Sequence, residues 1–532
     1  MRVLMEFATS NYRTWNSFAK EINKIYPGSK FAGIVGLAPG TEYILDFLNG
    51  QEDIKYEFLS SQHAITREAM LGNIDYDELK EFESNLPAKS LWRMISTDRA
   101  WGNAFIHGAI PRQSFASQKS SRENILKIAS GTIKRYRSLF DRFQPDIFIP
   151  AIAMQSMSVM IFEQICKEKG IPYIVPDSVR VKNYFAYADN VQLRFPHIEE
   201  RYGQLYEGDF NVDMVKAREL YDDLTGELAD PNYFDRKNPW FNIAKIDTPM
   251  RKVKFLITML RSLGYAFLSW VKNSFFDRAN DIGGQPASFS ALRSNLSYAF
   301  YRHYQKVLML KSEFRDKLPK GQKYIYYPLH VNPEYSTQVI APMWLDQLYV
   351  IELLAKSIPS DWIVYVKEHP TTLYYRARPV SFYSRIKRYP NVRMAPIDAN
   401  THELIANSEM VAAITGTSGW EAILRSKPLI TFADCLWSVM GLSRKCTDVE
   451  TLSNAIHDEM IRVNKISDEE RKKRIICYLT AILEHSFEIT YPVPFCSNKG
   501  TVEQYEFGGK EAAYGLKKYM EYLKSKNHTE TI

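Results

Sequence analysis

The sequence predicts an α/β chain of two Rossmann-like domains facing across a cleft, with a helical insertion between them. Three observations carry that prediction. At 532 residues the chain is too long for one ordinary core. Strand-like and helix-like runs alternate at both ends of it, as in βαβ units. Finally, two polar motifs each directly follow an apolar strand-like run. Lys367-Glu368-His369-Pro370 follows Trp362-Ile363-Val364-Tyr365-Val366, and Thr415-Gly416-Thr417-Ser418-Gly419-Trp420-Glu421 follows Met410-Val411-Ala412-Ala413-Ile414. In an open α/β sheet such positions border the ligand crevice, beyond the carboxyl ends of the strands.

The elements follow in order. Val3 to Phe7 reads as a first strand. Asp146 to Pro150 reads as another, then a helix from about Met154 to Lys169 that Gly170 stops, then a short strand Ile171 to Pro176. Strand, helix, Gly, strand is the pattern of a parallel sheet. Residues 1–204 are therefore expected to form a first domain, on the acceptor side of any transfer reaction.

Residues 205–320 read as a helical insertion. Within it, 251–276 is the most hydrophobic helix candidate. It makes a poor membrane span, because Arg261 interrupts it and the longest charge-free run is Ser262 to Val271. Lys254, Arg261 and Lys272 return to nearly one helical face. That pattern fits a helix lying in a membrane interface. It equally fits a buried interdomain or oligomer helix with a few snorkelling cations.

Residues 321–464 are expected to form the second Rossmann-like domain. Tyr324 to Tyr327 is its first strand, Ile340 to Ser357 a helix, 362–366 the next strand and Ser381 to Arg388 a basic helix. Thr401 is the expected cap of a following helix; strand 410–414, a helix to about Arg425, and a strand over 427–432 complete the unit. Residues 465–532 read as C-terminal helices and a polar tail that cross back to the first domain.

Composition excludes several classes. Apolar residues at 45% and charged residues at 24% are ordinary for a folded protein. A net charge of +7 suits an anionic substrate or membrane surface without demanding either. No Lys/Arg-rich block, zinc-finger spacing or RNA-binding signature appears, which argues against nucleic acid as a partner. The five cysteines, Cys166, Cys435, Cys446, Cys477 and Cys496, form no CxxC. Together with an N-terminus lacking a signal-peptide core, they point to a cytoplasmic protein. HExxH, P-loop and GxSxG motifs are absent, which disfavours zinc protease, P-loop NTPase and α/β-hydrolase readings.

The motifs suggest nucleotide-sugar binding. Pro370 restricts His369 to extended backbone and so fixes its imidazole at a strand end. Lys367 adds a cation suited to a phosphate, and Glu368 a carboxylate. Gly416 and Gly419 allow close backbone approach, Thr415, Thr417 and Ser418 bring hydroxyls, and Glu421 sits where it could accept from a ribose. A capping loop closed by Ser418 and Glu421 explains the same residues without a ligand. His330 and Glu334, in Pro328 to Thr337, point to the same crevice on either a functional or a structural reading. In the first domain, Asp177 is the candidate general base, with Arg180 and Lys182 placed to hold an acidic sugar and keep the carboxylate charged.

Three ordered stretches, YYPLHVNPEYST (326–337), WIVYVKEHP (362–370) and ELIANSEMVAAITGTSGWEAILRSKPLITF (403–432), resemble the bacterial capsule polysaccharide synthesis family, a group of GT-B-type glycosyltransferases that includes capsule Kdo transferases. The resemblance covers roughly 320–435. It implies a GT-B-like fold, with His369-Pro370 meeting a cytidine nucleotide and Thr417-Ser418 holding its phosphate. The family's Glu-containing, Arg-rich motif in the first domain has only a divergent counterpart here, Pro176 to Lys182.

The reading is therefore a glycosyltransferase that moves a sugar, a CMP-activated acidic sugar such as Kdo in first place, onto a capsule or surface glycan or glycolipid acceptor. No obligatory metal is expected, because His, Lys and backbone amides can stabilise a leaving phosphate. The expected location is the cytoplasm, or the inner face of the cytoplasmic membrane as a peripheral protein. Other classes stay open: a nucleotide-sugar epimerase or CDP-polyol phosphotransferase on the same fold, or a non-catalytic glycan-binding subunit of capsule assembly or export.

Overall fold

In the computed structural model of the protein, residues 1–36, 42–99, 101–102, 105, 121–151, 156–208, 212–226, 249–276, 289–309, 311, 314–372, 378–489 and 500–529 are described. The expected start of one helix at Met154, and Cys496, lie outside them. The chain separates into two compact units: unit 1 takes Met1–Ile95, Lys119–Tyr221 and Ile476–Ile532, and unit 2 centres on Asp222–Ile475.

Unit 1 is built on a parallel sheet of β1 (Arg2–Phe7), β2 (Lys30–Val35), β3 (Tyr56–Ser61) and β4 (Ile147–Ile149), in the order β3-β2-β1-β4. β1, β2 and β4 are nearly continuous buried apolar runs because helices cover both faces, whereas β3 at the sheet edge is only partly buried. Helix Tyr12–Ile25 buries Trp15, Phe18, Ala19 and Ile22 against one face. The long helix Val502–Thr529 packs along it, so the C-terminal part of the chain completes unit 1. Gly509 makes that contact possible: a Cβ there would stand 2.6 Å from the Phe18 backbone nitrogen. On the other face, Tyr136 of helix Arg122–Phe143 stacks at 4.1 Å on Phe162 of helix Met157–Lys169. Gly170, at φ 64°, stops the latter helix as its sequence position predicts.

The next segment departs from expectation. Residues 171–174 pair with β4 through one isolated bridge, Phe148 to Tyr173, rather than as a strand. The strand itself is β5 (Val175–Ser178), and it turns back antiparallel onto β6 (Tyr184–Ala188), with Phe487–Glu488 as the third member of a small sheet. Pro172 and Pro176 supply no N–H, which weakens a continued parallel ladder.

Unit 2 holds a six-stranded, wholly parallel sheet: β7 (Lys323–Pro328), β8 (Trp362–Lys367), β9 (Val392–Met394), β10 (Met410–Ala413), β11 (Leu429–Thr431) and β12 (Arg444–Lys445). The order is β12-β11-β10-β7-β8-β9, so the winding direction reverses between β7 and β10. Ile325, Tyr327, Val364, Val366, Ala412 and Ile430 lie in its core. Three local expectations change. The helix expected over 340–357 begins at Gln347, because Pro342 and the Asp346 cap, which accepts from Leu348 N at 3.0 Å, break it; a π turn and a 3-10 turn precede it. The basic helix is Val380–Ile386. Asn400, not Thr401, caps helix Thr401–Ala406, accepting from His402 N at 3.0 Å. Both units are therefore Rossmann-like, the α/β make-up of the GT-B class.

Candidate functional site

The predicted residues of unit 2 converge because β10, β7 and β8 are neighbours in one parallel sheet, and each ends in one of the motifs. Leu329 N donates to Lys367 O at 2.8 Å, which ties the segment after β7 to the end of β8. Thr415 N approaches His330 Nε2 at 3.5 Å, which ties it to the end of β10. His330 therefore stands at the reversal of winding direction, where open α/β sheets bind ligands.

His330 is buried and its backbone is clamped. Its N–H donates to Gln347 Oε1 at 2.7 Å, Gln347 Nε2 donates back to its carbonyl at 3.1 Å, and Arg378 Nη2 donates to the same carbonyl. Its Nδ1 lies 3.4 Å from Ser336 Oγ and 3.9 Å from Glu334 Oε2, and Ser336 Oγ donates to that carboxylate at 2.9 Å. The Glu334 side chain is 43% exposed at the rim. Crowding by protein atoms raises its carboxyl, yet the neighbouring His330 and His369 rings and the Ser336 hydroxyl together hold it below the ordinary carboxylate value. Gly416 lies against the His330 ring: a Cβ there would sit 3.3 Å from Cε1.

The Lys367 to Pro370 string divides into two roles. Glu368, expected as a ligand contact, instead faces the interior. Its carboxylate accepts from His369 N, Arg378 Nε and Tyr383 OH, each at 2.7 Å. Gln305 joins this network, donating to Tyr383 OH at 2.5 Å and accepting from Arg378 N at 3.2 Å. Burying a carboxylate demands such pairing, and Arg378 and Glu368 are both essentially inaccessible. Glu368 is thus a brace that positions His369.

The side chains of His369 and Lys367 are not drawn into that network. Thr371 donates to His369 Nδ1 from its backbone N at 3.3 Å and its hydroxyl lies 2.7 Å away. That places the ring proton on Nε2, which has no partner among the described residues. Burial pushes this imidazole down to about 4, against the opposing pull of Glu334, so it is neutral at pH 7 and its Nε2–H is a donor. Lys367 is 5% exposed, and its ammonium makes no hydrogen bond among the described residues. Burial pushes it down to about 8, with Glu368, Asp398 and Glu421 pulling it up.

The Thr415 to Glu421 loop is also divided. Ser418 is 7% exposed, and neither its hydroxyl nor that of Thr415 meets a partner among the described residues. The amides of Gly416, Thr417 and Ser418 likewise reach no acceptor there. Helix Ser418–Leu424 has only seven residues, so its dipole adds little, and these amides and hydroxyls carry the anion-binding character. The capping box of Ser418 and Glu421 does not form: Thr417 is the N-cap residue, without a side-chain cap bond. Glu421 is turned inward, 3.2 Å from His402 Nδ1, and so is placed to orient the loop rather than to meet a ribose. Gly419 serves packing, since a Cβ there would meet Trp437 Cζ2 at 2.9 Å.

In unit 1, Asp177 lies within the β5–β6 hairpin, opposite Ala186, not at the end of a parallel strand. Its Oδ1 accepts from Ser178 N at 2.6 Å. Burial raises its carboxyl and outweighs the lowering charge of Arg180 and the Ser178 hydrogen bond. Arg180 and Lys182 occupy left-handed turn positions, at φ 63° and 44°. Sequence reasoning overlooked Glu6. It lies next to the end of β1, beside β4, where the winding of that sheet reverses. Its Oε2 accepts from Ala151 N at 3.1 Å, while Oε1 has no partner among the described residues. Burial pushes it up to about 7. The signal was a lone carboxylate within the apolar run Val3 to Phe7. Arg378, Tyr383 and Gln305 carried no comparable signal.

A cavity of about 420 Å³, lined by Leu224, Gly226, Ala406, Arg425 and Lys427 among others, lies elsewhere in unit 2. Ala406 precedes β10 and Lys427 precedes β11, so it opens at the amino edge of the sheet, opposite the motif residues. Among the described residues no group of three or more His, Cys, Asp or Glu could hold a metal ion.

Chemically, the carboxyl edge of unit 2 presents the Lys367 cation, the His369 imidazole donor and a run of amides and hydroxyls that have no partner among the described residues. That set suits a phosphate-bearing ligand.

Residues 290–466 match the model of the family described as capsule polysaccharide biosynthesis protein. Protein FixF of Sinorhizobium fredii is 26% identical over 138 residues, covering 25% of this chain and 32% of that protein, so the match spans about a third of that relative. Among solved structures, Thermosulfurimonas dismutans KpsC, a β-Kdo 2,7 transferase, aligns with a TM-score of 0.35 and 11% identity, over 70% of this chain and 88% of that one. The S. aureus MnaA–UDP co-structure aligns with a TM-score of 0.26 and 10% identity, over 98% and 97%. The family match agrees with the resemblance carried by the motifs: the matched segment, 290–466, holds every candidate ligand residue of unit 2.

Proposed function

We propose that the protein is a glycosyltransferase of capsule or surface-glycan assembly, and that unit 2 binds the nucleotide of its activated sugar donor. One observation carries this reading. Within the family-matched segment, Lys367, the Nε2–H of His369 and the donors of Thr415 to Ser418 that are unpartnered among the described residues lie at the carboxyl ends of β8 and β10, the two strands that flank β7. In the transfer, an acceptor hydroxyl attacks the anomeric carbon, the bond to the nucleotide phosphate breaks, and the electron pair leaves with the phosphate. Lys367, His369 and the loop donors stabilise that leaving charge. The acceptor proton goes to a base, for which Asp177 in unit 1 is the candidate. Its raised carboxyl makes it a stronger base than an exposed Asp. A CMP-linked acidic sugar is the donor we favour, with the family resemblance as its support.

A thermal-shift series with CMP, CDP, UDP and GDP tests the reading, because a nucleotide that binds only the folded chain raises its apparent stability. Stabilisation by a cytidine nucleotide, lost in His369→Ala and Ser418→Ala, is expected. No stabilisation by any of the four would refute it. Incubation with donor alone then separates transfer from epimerisation, which needs no acceptor.

A further inference from the structure

The helical segment of unit 2 carries a surface that the nucleotide site does not use. Helices Pro249–Val271 and Phe289–Leu308 pack against each other. Ser262 faces the partner helix, with Arg302 Nη2 at 3.1 Å and His303 Nε2 at 2.9 Å, and the Phe255 and His303 rings meet edge to face at 5.5 Å. The opposite side of the first helix is unlike an ordinary solvent-facing surface. Val253, Leu256, Ile257, Leu260, Phe267 and Leu268 are each between 46% and 62% exposed. At helical periodicity these six fall within an arc of about 120°. Lys254, Arg261 and Lys272, all exposed, run along one edge of that arc. Neither helix contains an Asp or a Glu. Soluble surfaces rarely expose so continuous an apolar stripe.

We infer that this face docks flat onto an anionic phospholipid surface, with the apolar arc in the acyl boundary and the cationic edge at the headgroups. Charge selects this occupant: a stripe bordered by cations, on two helices free of carboxylates, complements anionic lipid. An apolar face meant for a second copy of the chain would bring the same cations towards one another. Docking does not require crossing, and among the described residues no helix is long and apolar enough to cross a membrane. This inference is independent of the nucleotide reading.

Flotation of the full-length protein with phosphatidylcholine vesicles, and with vesicles containing phosphatidylglycerol, tests it. Binding to the anionic vesicles, weakened by high salt, is expected. Leu260→Glu with Phe267→Glu should abolish it. Lys254→Glu with Arg261→Glu and Lys272→Glu should lower partitioning by at least roughly 100-fold, from about 1 kcal/mol per cation near such a surface. These side chains are exposed, so the thermal transition and its response to nucleotide should be unchanged in both variants. Equal flotation of wild type and variants would overturn the inference. So would a wild-type protein that ignores vesicles but forms a dimer dispersed by Leu260→Glu with Phe267→Glu, which would assign the face to a second copy.

Discussion

Replacing Glu368 by Gln keeps the side-chain shape and removes its charge. The structure assigns Glu368 to bracing rather than ligand contact: its carboxylate takes three donors at 2.7 Å, and its ion-pair partner Arg378 is fully inaccessible. Removing one partner of such a pair leaves the other charge buried without its counter-ion, which costs about 3–5 kcal/mol. For a unit of this size that corresponds to a fall in the unfolding midpoint of roughly 6–20 °C. Calorimetry of the full chain reads it. Replacing both partners with methionines, Glu368→Met and Arg378→Met, should recover much of the loss, because a buried pair is often no better than an apolar substitute. His369 should also lose its fixed orientation, so nucleotide affinity should fall less than in His369→Ala. A midpoint shift of only a degree or two, together with complete loss of nucleotide binding, would refute the argument and make Glu368 a ligand contact.

Three further outcomes are expected. Lys367 holds its proton only weakly in the free protein, near pH 8, and a bound phosphate favours the charged form; nucleotide affinity should fall as pH rises through 8, by up to about tenfold per unit. Lys367→Met should flatten that profile in calorimetric titration and cost about 1.5–3 kcal/mol of binding, whereas an unchanged profile would remove Lys367 from the site. Glu6 binds its proton more tightly in the folded state, so folded stability should fall as pH rises from about 4.5 to about 7 and then level off. The shift amounts to about 3 kcal/mol, and Glu6→Gln should raise the unfolding midpoint at pH 8 while leaving it nearly unchanged at pH 4.5; equal effects at both would contradict this. Asp177→Asn should slow sugar transfer by roughly 10²–10⁴-fold with nucleotide affinity preserved, and near-normal turnover would return Asp177 to a turn role.

What the sequence determined by itself was local. Periodicity marked β1, β7, β8 and β10, and glycine and proline marked where helices and strands stop, as at Gly170 and Pro370. Because parallel strands place their following loops on one edge, recognising two motifs after two strands was enough to anticipate a shared crevice. What only the tertiary structure decided was which members of each motif face that crevice. Lys367 and Glu368 are adjacent in sequence, yet the Lys367 ammonium makes no hydrogen bond among the described residues while the Glu368 carboxylate is locked to Arg378 and Tyr383, which Gln305 joins. The antiparallel turn of β5 and the completion of unit 1 by Ile476–Ile532 were likewise undetermined locally. The physical reason is the same in each case. A side chain's burial, charge state and hydrogen-bond partners are set by groups from distant parts of the chain, and the local pattern contains no term for them.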